Sequence, residues 1–585
     1  MDTSSALHAT LSPEHGTRAH AEQYLLQRAY PLNDADGAFG LELASVLCAA
    51  DAPLAVRQAA GVVLKQYVQE RWSLALDAFL RRAQAAGVAE GAEALGPEPK
   101  HAIRMQLLKA LGDAARKVRL LAAQVLSIVC TADFPDHFPE LFPVLRTYLG
   151  TADAACVHGA LKFLSELVQV ELDENQLLVV AREFVPLLQA IISDTSASAH
   201  IQARCVLVFR QCLTSLYMVK DTYTTVVAEA IEHYLPPWLH AFEVLLDPAF
   251  FCTADWNLPA AWEVLGLRRE MVRSLGVASH FHEAFGVRGT SLLHRALENL
   301  GALAPLFTRV ELTADLIPPV PEDGDADVAT DASALAMALM TLLSETFSSD
   351  PMRALLVQGG VGGEGAETPA LAELLRLLPT FAQMTCDDEA SWSEDADAFV
   401  SEDDEENLNV TLRTAAMDLT AQLLDTYPRP ALRTCNALVS ELAAAQPHSG
   451  WKVIEAFLML LGAAHNEIEE LLDCDANASI LSLSRVFEVL VLPHLDSDAT
   501  FLRGRCFVFA SQFVETLPGD LARRMFAAAL KVTQQDAPLP LQLSAVRAIR
   551  KYVTRVAGMA NAAMGISRPI SRRPLRRRCC ASLER

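Results

Sequence analysis

The chain of 585 residues is 51% hydrophobic but only 7% aromatic, and its net charge is −24. Seven Arg against one Glu in the last eighteen residues leave about −30 on the rest, which repels nucleic acid and anionic membranes and attracts basic proteins. The length suits several ordinary domains or one extended array, and an Ala/Leu-rich, aromatic-poor composition favours packed helices over sheets.

No N-terminal stretch joins a basic start, an apolar run and a small-residue cleavage site, and none approaches the ~20 uninterrupted apolar residues of a membrane span. Residues 18–30 place Ala21, Leu25, Leu26 and Ala29 on one helix face, and Pro31 ends that helix. Helices over roughly 37–50 and 53–72 follow after short turns. Residues 83–100, rich in Ala, Gly and Glu without apolar periodicity, read as a low-complexity insertion.

A pattern then recurs. Val56-Arg57-Gln58-Ala59-Ala60 returns as Val118-Arg119-Leu120-Leu121-Ala122-Ala123 and as Leu412-Arg413-Thr414-Ala415-Ala416, with looser copies from Val157, Ile201, Leu502 and Leu541. Spacings of 39 residues (118 to 157, 502 to 541) and 44 residues (157 to 201) match the period of about 40–47 of a two-helix HEAT unit. The predicted fold is all-α: a HEAT-repeat, right-handed superhelical solenoid of the armadillo-like α-α superhelix class. An irregular helical bundle is the alternative. One helix pair cannot bury both its faces, so units must stack, and Ala59, Ala122 and Ala415 are expected to let second helices approach closely.

The predicted order is an N-terminal HEAT module at 1–82, the insertion, then repeats over 101–316, 333–386 and 410–557. The breaks are an acidic, Pro-rich connector (317–332), a Gly-rich loop (358–369) and an acidic loop (387–409). The basic stretch 558–585 departs from the body's composition and reads as a non-homologous tail, with an address signal or anion-binding arm as the alternative. Within the acidic loop stand eleven carboxylates and no Lys or Arg: Asp387, Asp388, Glu389, Glu394, Asp395, Asp397, Glu402, Asp403, Asp404, Glu405 and Glu406. Their mutual repulsion predicts a loop held out of the core, serving either solubility or the grip of a strongly basic partner.

Other candidate chemistry fails on inspection. The Gly cluster 359–365 lacks the Gly-Lys-Ser/Thr ending of a phosphate loop. Asp323, Asp325 and Asp327 have calcium-loop spacing, but Val328 and Ala334 stand where Gly and Glu are needed. His280 and His282 lie two apart, a poor geometry for sharing a metal on a helix. No nucleophile motif is found, so the expectation is a non-enzyme without cofactor or metal. The twelve cysteines form no CxxC pair and sit mostly in apolar windows, as in a reduced cytosolic or nuclear protein.

Residues 18–72 resemble the opening module of the importin-β (karyopherin-β) family of nuclear transport receptors. Arg18, Ala21-Glu22 and Leu25 match one of its helices, and Arg57, Ala59-Ala60, Leu64-Lys65 and Trp72 match another. The resemblance implies that this module binds Ran-GTP through Lys65, with Gln66 and Gln69 beside it, and that Arg57 bridges repeats. Trp392-Ser393-Glu394-Asp395, Phe399-Val400, residues 410–419, residues 451–456, residues 502–513 and residues 542–549 narrow the likeness to the importin-nine branch, with the importin-eleven branch as nearest rival.

Over about residues 10–555, that likeness implies a monomeric import receptor shuttling between cytoplasm and nucleus. Its implied partners are Ran-GTP, nucleoporin FG repeats and basic cargo: core histones, chiefly the outer histone dimer, and ribosomal proteins. Neither nucleic acid nor membrane is an implied partner. Family members run to nearly twice this length, so the C-terminal half of the superhelix is expected to be missing. A HEAT scaffold, an export receptor and a truncated fragment stay open as alternatives.

Overall fold

Helix starts follow local chemistry. Asp2, Ser198, Asp331 and Ser482 each accept the backbone N–H three residues on, capping helices Thr3–Ala9, Ala199–Val219, Ala332–Glu345 and Leu483–Val486. Proline occupies the first turn of Pro97–Leu111 and Pro259–Ser279, where its missing N–H has no intrahelical partner to lose. The structure, a computed structural model, describes residues 2–29, 36–73, 95–169, 174–319, 328–358, 366–367, 369–402, 410–445, 450–472 and 480–563.

These helices form two compact units, Met1–Leu306 with Leu316–Leu355, and Phe307–Asp315 with Leu356–Arg585. In the first unit, pairs such as Ala38–Cys48 with Leu54–Arg71 and Pro97–Leu111 with Arg116–Asp133 repeat along the chain. Their second helices lie side by side in chain order: Leu54–Arg71, Arg116–Asp133, Ala154–Gln169, Ala199–Val219, Pro259–Ser279 and Ala332–Glu345. The second unit repeats the arrangement with Leu412–Thr426, Trp451–Ala463, Thr500–Gln512 and Leu539–Ala563. Each second helix inside these runs therefore has a second-helix neighbour on either side, which the HEAT reading requires. Buried free thiols behave as small apolar groups here, and burial pushes those of Cys212, Cys435 and Cys506 up to about 12.

Several expectations need correction. The first amphipathic helix is His15–Arg28, and although Ala21, Leu25 and Ala29 are buried, Leu26 is 55% exposed. A one-residue step turns a side chain about 100° around the axis, so only the i, i+4 row meets the core. Of the motif's small residues, Ala60, Ala122 and Ala416 are the fully buried ones, whereas Ala59 and Ala415, expected to meet a neighbouring helix, are half-buried. All three stand four residues after the apolar residue that opens the motif, one turn along the same face. The insertion ends before residue 97, because Pro97 starts the next helix, and the last helix runs to Ala563, past the expected boundary at 557. Strands Val357–Gln358 and Ala366–Glu367 pair antiparallel, Val357 opposite Glu367, so part of the expected Gly-rich loop is paired; residues 359–365 and 368 lie outside the described residues.

Close approach is most demanding at Gly159 in helix Ala154–Gln169, where an added β-carbon would lie 1.8 Å from the carbonyl oxygen of Leu111. Gly159→Ala is therefore expected to cost about 1–3 kcal/mol or more through overpacking. Gly286→Ala, in the exposed face of His282–Phe307 with nothing within 4 Å, should instead stabilise by about 0.5–1 kcal/mol. Thermal melts of the two variants beside the parent check the opposite signs.

Candidate functional site

In the N-terminal module, helix Leu54–Arg71 carries the residues singled out for partner binding. Lys65 is half-buried and donates to Oε1 of Gln124 at 3.1 Å on the neighbouring second helix. Gln66 is exposed and reaches Glu70 at 3.5 Å, and Gln69 is half-buried one turn on. These three share one side of the helix by their i, i+3 and i, i+4 spacing. Arg57 faces inward: its Nε donates to the Leu47 carbonyl at 2.9 Å, and its guanidinium pairs with Asp113 of the following repeat.

Over residues 387–402 the structure overturns the expectation of a loop held out of the core; residues 403–409 of that expected loop lie outside the described residues. Residues 386–394 and 396–402 are helices, Cys386–Glu394 and Ala396–Glu402, lying between the first helix Pro369–Phe381 and the second helix Leu412–Thr426 of one repeat. The charges are compatible with helix because of where they stand. Asp387, Asp388 and Glu389 fill the first turn, where a carboxylate near the positive helix end contributes about 0.3–1 kcal/mol. Thr385 and Asp388 form a capping box, at 3.0 Å and 2.9 Å. Asp395 accepts the N–H groups of Asp397 and Ala398, at 2.9 Å and 3.3 Å, and so starts the second helix.

Two aromatic side chains then fasten the segment. Trp392 and Phe399 are buried with Met384 and Phe501, their rings 5.7 Å from each other and 6.1 Å and 5.8 Å from that of Phe501. The Arg413 guanidinium lies 5.5 Å from the Trp392 ring centre, and that of Arg547 lies 5.5 Å from Phe399 while donating to the Val400 carbonyl at 3.1 Å. Lys452 pairs with Glu389 at 2.7 Å. Charge counting alone hides this anchor; the signal that could have found it is two large aromatic residues, Trp392 and Phe399, standing within an acid run.

The eleven carboxylates are consequently not equivalent. Asp388 and Asp395 are caps and Glu389 is paired, whereas Asp387, Glu394 and Asp397 are exposed and form no ion pair among the described residues. Asp403, Asp404, Glu405 and Glu406 lie outside the described residues, as does the side chain of Glu402. Elsewhere, His280 stacks on Tyr217 with ring centres 4.7 Å apart, and Asp323, Asp325 and Asp327 lie outside the described residues. Among the described residues no group of three His, Cys, Asp or Glu side chains is arranged to hold a metal.

Beneath the segment sits a buried ionic triad. Glu455 accepts two bonds from Arg413, at 2.9 Å and 3.1 Å, and one from Nε of Arg505 at 2.9 Å. Burial alone would raise its pKa, but the two guanidinium groups outweigh burial and hold the carboxyl below the usual glutamate range.

Comparison with known proteins places these features in context. The family model for the importin-β N-terminal domain matches residues 21–113, and that for the importin-9 central HEAT repeats matches residues 365–567. Importin-9 of Drosophila melanogaster is 21% identical over 501 residues, covering 82% of this chain and 44% of the relative. Importin subunit beta-5 of Schizosaccharomyces pombe is 27% identical over 212 residues, covering 34% of this chain and 20% of the relative. The matched residues thus cover less than half of either relative. Among solved structures, Kap121p bound to Pho4p superposes with a TM-score of 0.58 at 15% identity, covering 94% of this chain and 44% of that one. The exportin Cse1 in its cargo-free, cytoplasmic state gives 0.57 at 14%, covering 95% and 57%. At such identity the likeness establishes the fold, a HEAT-repeat α-α solenoid.

The triad yields an acid-lability prediction. A carboxyl whose folded pKa is depressed contributes stability above its unfolded pKa of about 4.3 and loses it as pH falls through the folded value. The second unit should therefore weaken progressively below about pH 4.3. Glu455→Gln should flatten that dependence and cost about 3–5 kcal/mol at neutral pH by removing the one negative charge that faces two largely buried guanidinium groups. Urea unfolding followed by tryptophan fluorescence at stepped pH tests both.

Proposed function

The chain belongs to the importin-β family, with repeats of the importin-9 type, and from this premise we propose that it is a nuclear import receptor for basic proteins. It shuttles between cytoplasm and nucleus and takes its cargo on the acidic segment and the second-helix face beside it. Core histones, chiefly the outer histone dimer, are the favoured cargo, because their Lys/Arg-rich surfaces complement a chain of net charge −24. The observation that carries this reading is the anchored segment. Buried Trp392 and Phe399 hold exposed Asp387, Glu394 and Asp397 in fixed positions, so less conformational entropy is lost when a polycation binds. A loop serving solubility alone has no need of such an anchor.

The N-terminal module takes Ran-GTP, supported by the family match over residues 21–113 and by the Lys65, Gln66 and Gln69 side of helix Leu54–Arg71. Passage through the pore relies on nucleoporin FG repeats. Cargo and Ran-GTP are then linked by a coupling free energy whose sign distinguishes import from export.

Two outcomes follow. Replacing Asp387, Glu394 and Asp397 by Asn, Gln and Asn, together with Ser/Gly at 402–406, should weaken histone-dimer binding at low salt and flatten its salt dependence. Fluorescence titrations between 50 mM and 300 mM salt (about 14 Å to 6 Å Debye length) read both, and unchanged affinity and slope would return the segment to solubility. In pull-downs, Ran locked with GTP should retain the chain and Ran-GDP should not, with Lys65→Ala weakening retention. Equal or absent retention in both nucleotide states would reject the receptor in favour of a plain scaffold, and Ran-GTP that tightens cargo binding would mark an exporter.

A further inference from the structure

One cluster in the first unit is not used by the proposed transport cycle. Glu270, in helix Pro259–Ser279, is fully buried and is contacted by three guanidinium groups. Arg210 reaches it from the neighbouring second helix Ala199–Val219, Nε to Oε2 at 3.0 Å. Arg269 and Arg273 reach Oε1 through their Nη1 atoms at 2.8 Å and 3.2 Å.

Holding the two helices together requires only Arg210. Arg269 and Arg273 belong to Glu270's own helix, so they add no link between helices; they add charge. Three guanidinium groups against one carboxylate leave two positive charges in a partly desolvated place, inside a chain whose net charge is −24. Burial, opposed by Glu270 but reinforced by Arg273 and Arg269, holds the Arg210 guanidinium below its ordinary range. Donors remain: the contacts of Arg210 use only Nε, and those of Arg269 and Arg273 use only Nη1. Both Nη1 atoms bond one oxygen, so they lie within 6.0 Å of each other, the sum of 2.8 Å and 3.2 Å. The Arg273 side chain is 40% exposed and that of Arg269 21%, which opens the cluster to solvent. The exposed Glu345, whose carboxylate lies 2.9 Å from where a β-carbon on Gly276 would stand, forms no ion pair with the three arginines.

We propose that Arg210, Arg269 and Arg273 form a binding site for a phosphoryl dianion. A single carboxylate would neutralise half of the excess charge, whereas a phosphoryl group matches both charges and offers three acceptor oxygens to converging guanidinium donors. The group is supplied either by free inorganic phosphate or by a phosphorylated Ser or Thr of a bound protein segment. In the second case the site lets phosphorylation of a partner strengthen its hold on the repeats.

The test uses the full chain at constant ionic strength, with inorganic phosphate and a short fluorescent phosphoserine peptide beside its serine twin. Saturable binding of the phosphopeptide, displaced by phosphate and absent for the twin, is expected. Arg273→Gln and Arg269→Gln should each weaken it about tenfold or more, the loss of one charge-assisted contact, while Arg273→Lys keeps part of it. Since Arg210 still holds Glu270 in these variants, their melting temperatures should stay near the parent's. A peptide bound more tightly than free phosphate assigns the site to phosphorylated partners; equal affinities assign it to the free anion. Absence of saturable binding, or binding undiminished in both Gln variants, overturns the proposal.

Discussion

The contact between the second helix of one repeat and the next repeat is what everything else in this chain depends on. An Arg follows the apolar residue that opens the recurring motif, and two copies use it in the same way. Arg57 donates to the Leu47 carbonyl in its own repeat and to Asp113 in the next; Arg413 donates to the Ala382 carbonyl in its own and to Glu455 in the next. Such a buried guanidinium is stable only with partners on both sides, so it penalises any other register between repeats. Glycines allow the close approach of neighbouring repeats, Gly61 against Leu121 and Gly159 against the Leu111 carbonyl.

That frame lets a highly charged segment fold. The stretch after Thr385 would repel itself as an isolated peptide, yet here two helix starts and one aromatic plug give its charges defined places. Capping takes up Asp388 and Asp395, and Lys452 takes up Glu389. The aromatic rings of Trp392 and Phe399 fill space against Phe501 and Met384 that Arg413 and Arg547 cover. The carboxylates left exposed are held by a scaffold whose own stability rests on the Arg413–Glu455–Arg505 triad. The exposed carboxylates and the integrity of the repeat stack are thereby joined through the same arginine.

The two units also treat charge differently. The second presents carboxylates at a helical platform, whereas the first gathers three arginines on one buried glutamate. Long-range attraction to a polycation depends on the first kind of feature and falls with salt. Recognition of a compact anion depends on the second, where partial desolvation strengthens each contact.

How much of this was legible in the sequence follows from physics. Periodicity and the recurring Val-Arg-x-Ala-Ala motif determined the helical, repeating fold, because a helix pair with two apolar faces has no stable solution except stacking. Acid density determined that a polyanionic surface exists. Neither determined which alanine is buried, since one residue's error in register turns a side chain by about 100°. Nor could charge counting tell a repelled loop from a capped and anchored helix pair. That was decided by Phe501 and Arg547, each more than a hundred residues from the Trp392 and Phe399 rings they meet, together with the nearer Arg413. Pairwise contacts across a hundred residues or more carry no local signature, so only the tertiary structure separates the carboxylates that build the segment from those left exposed.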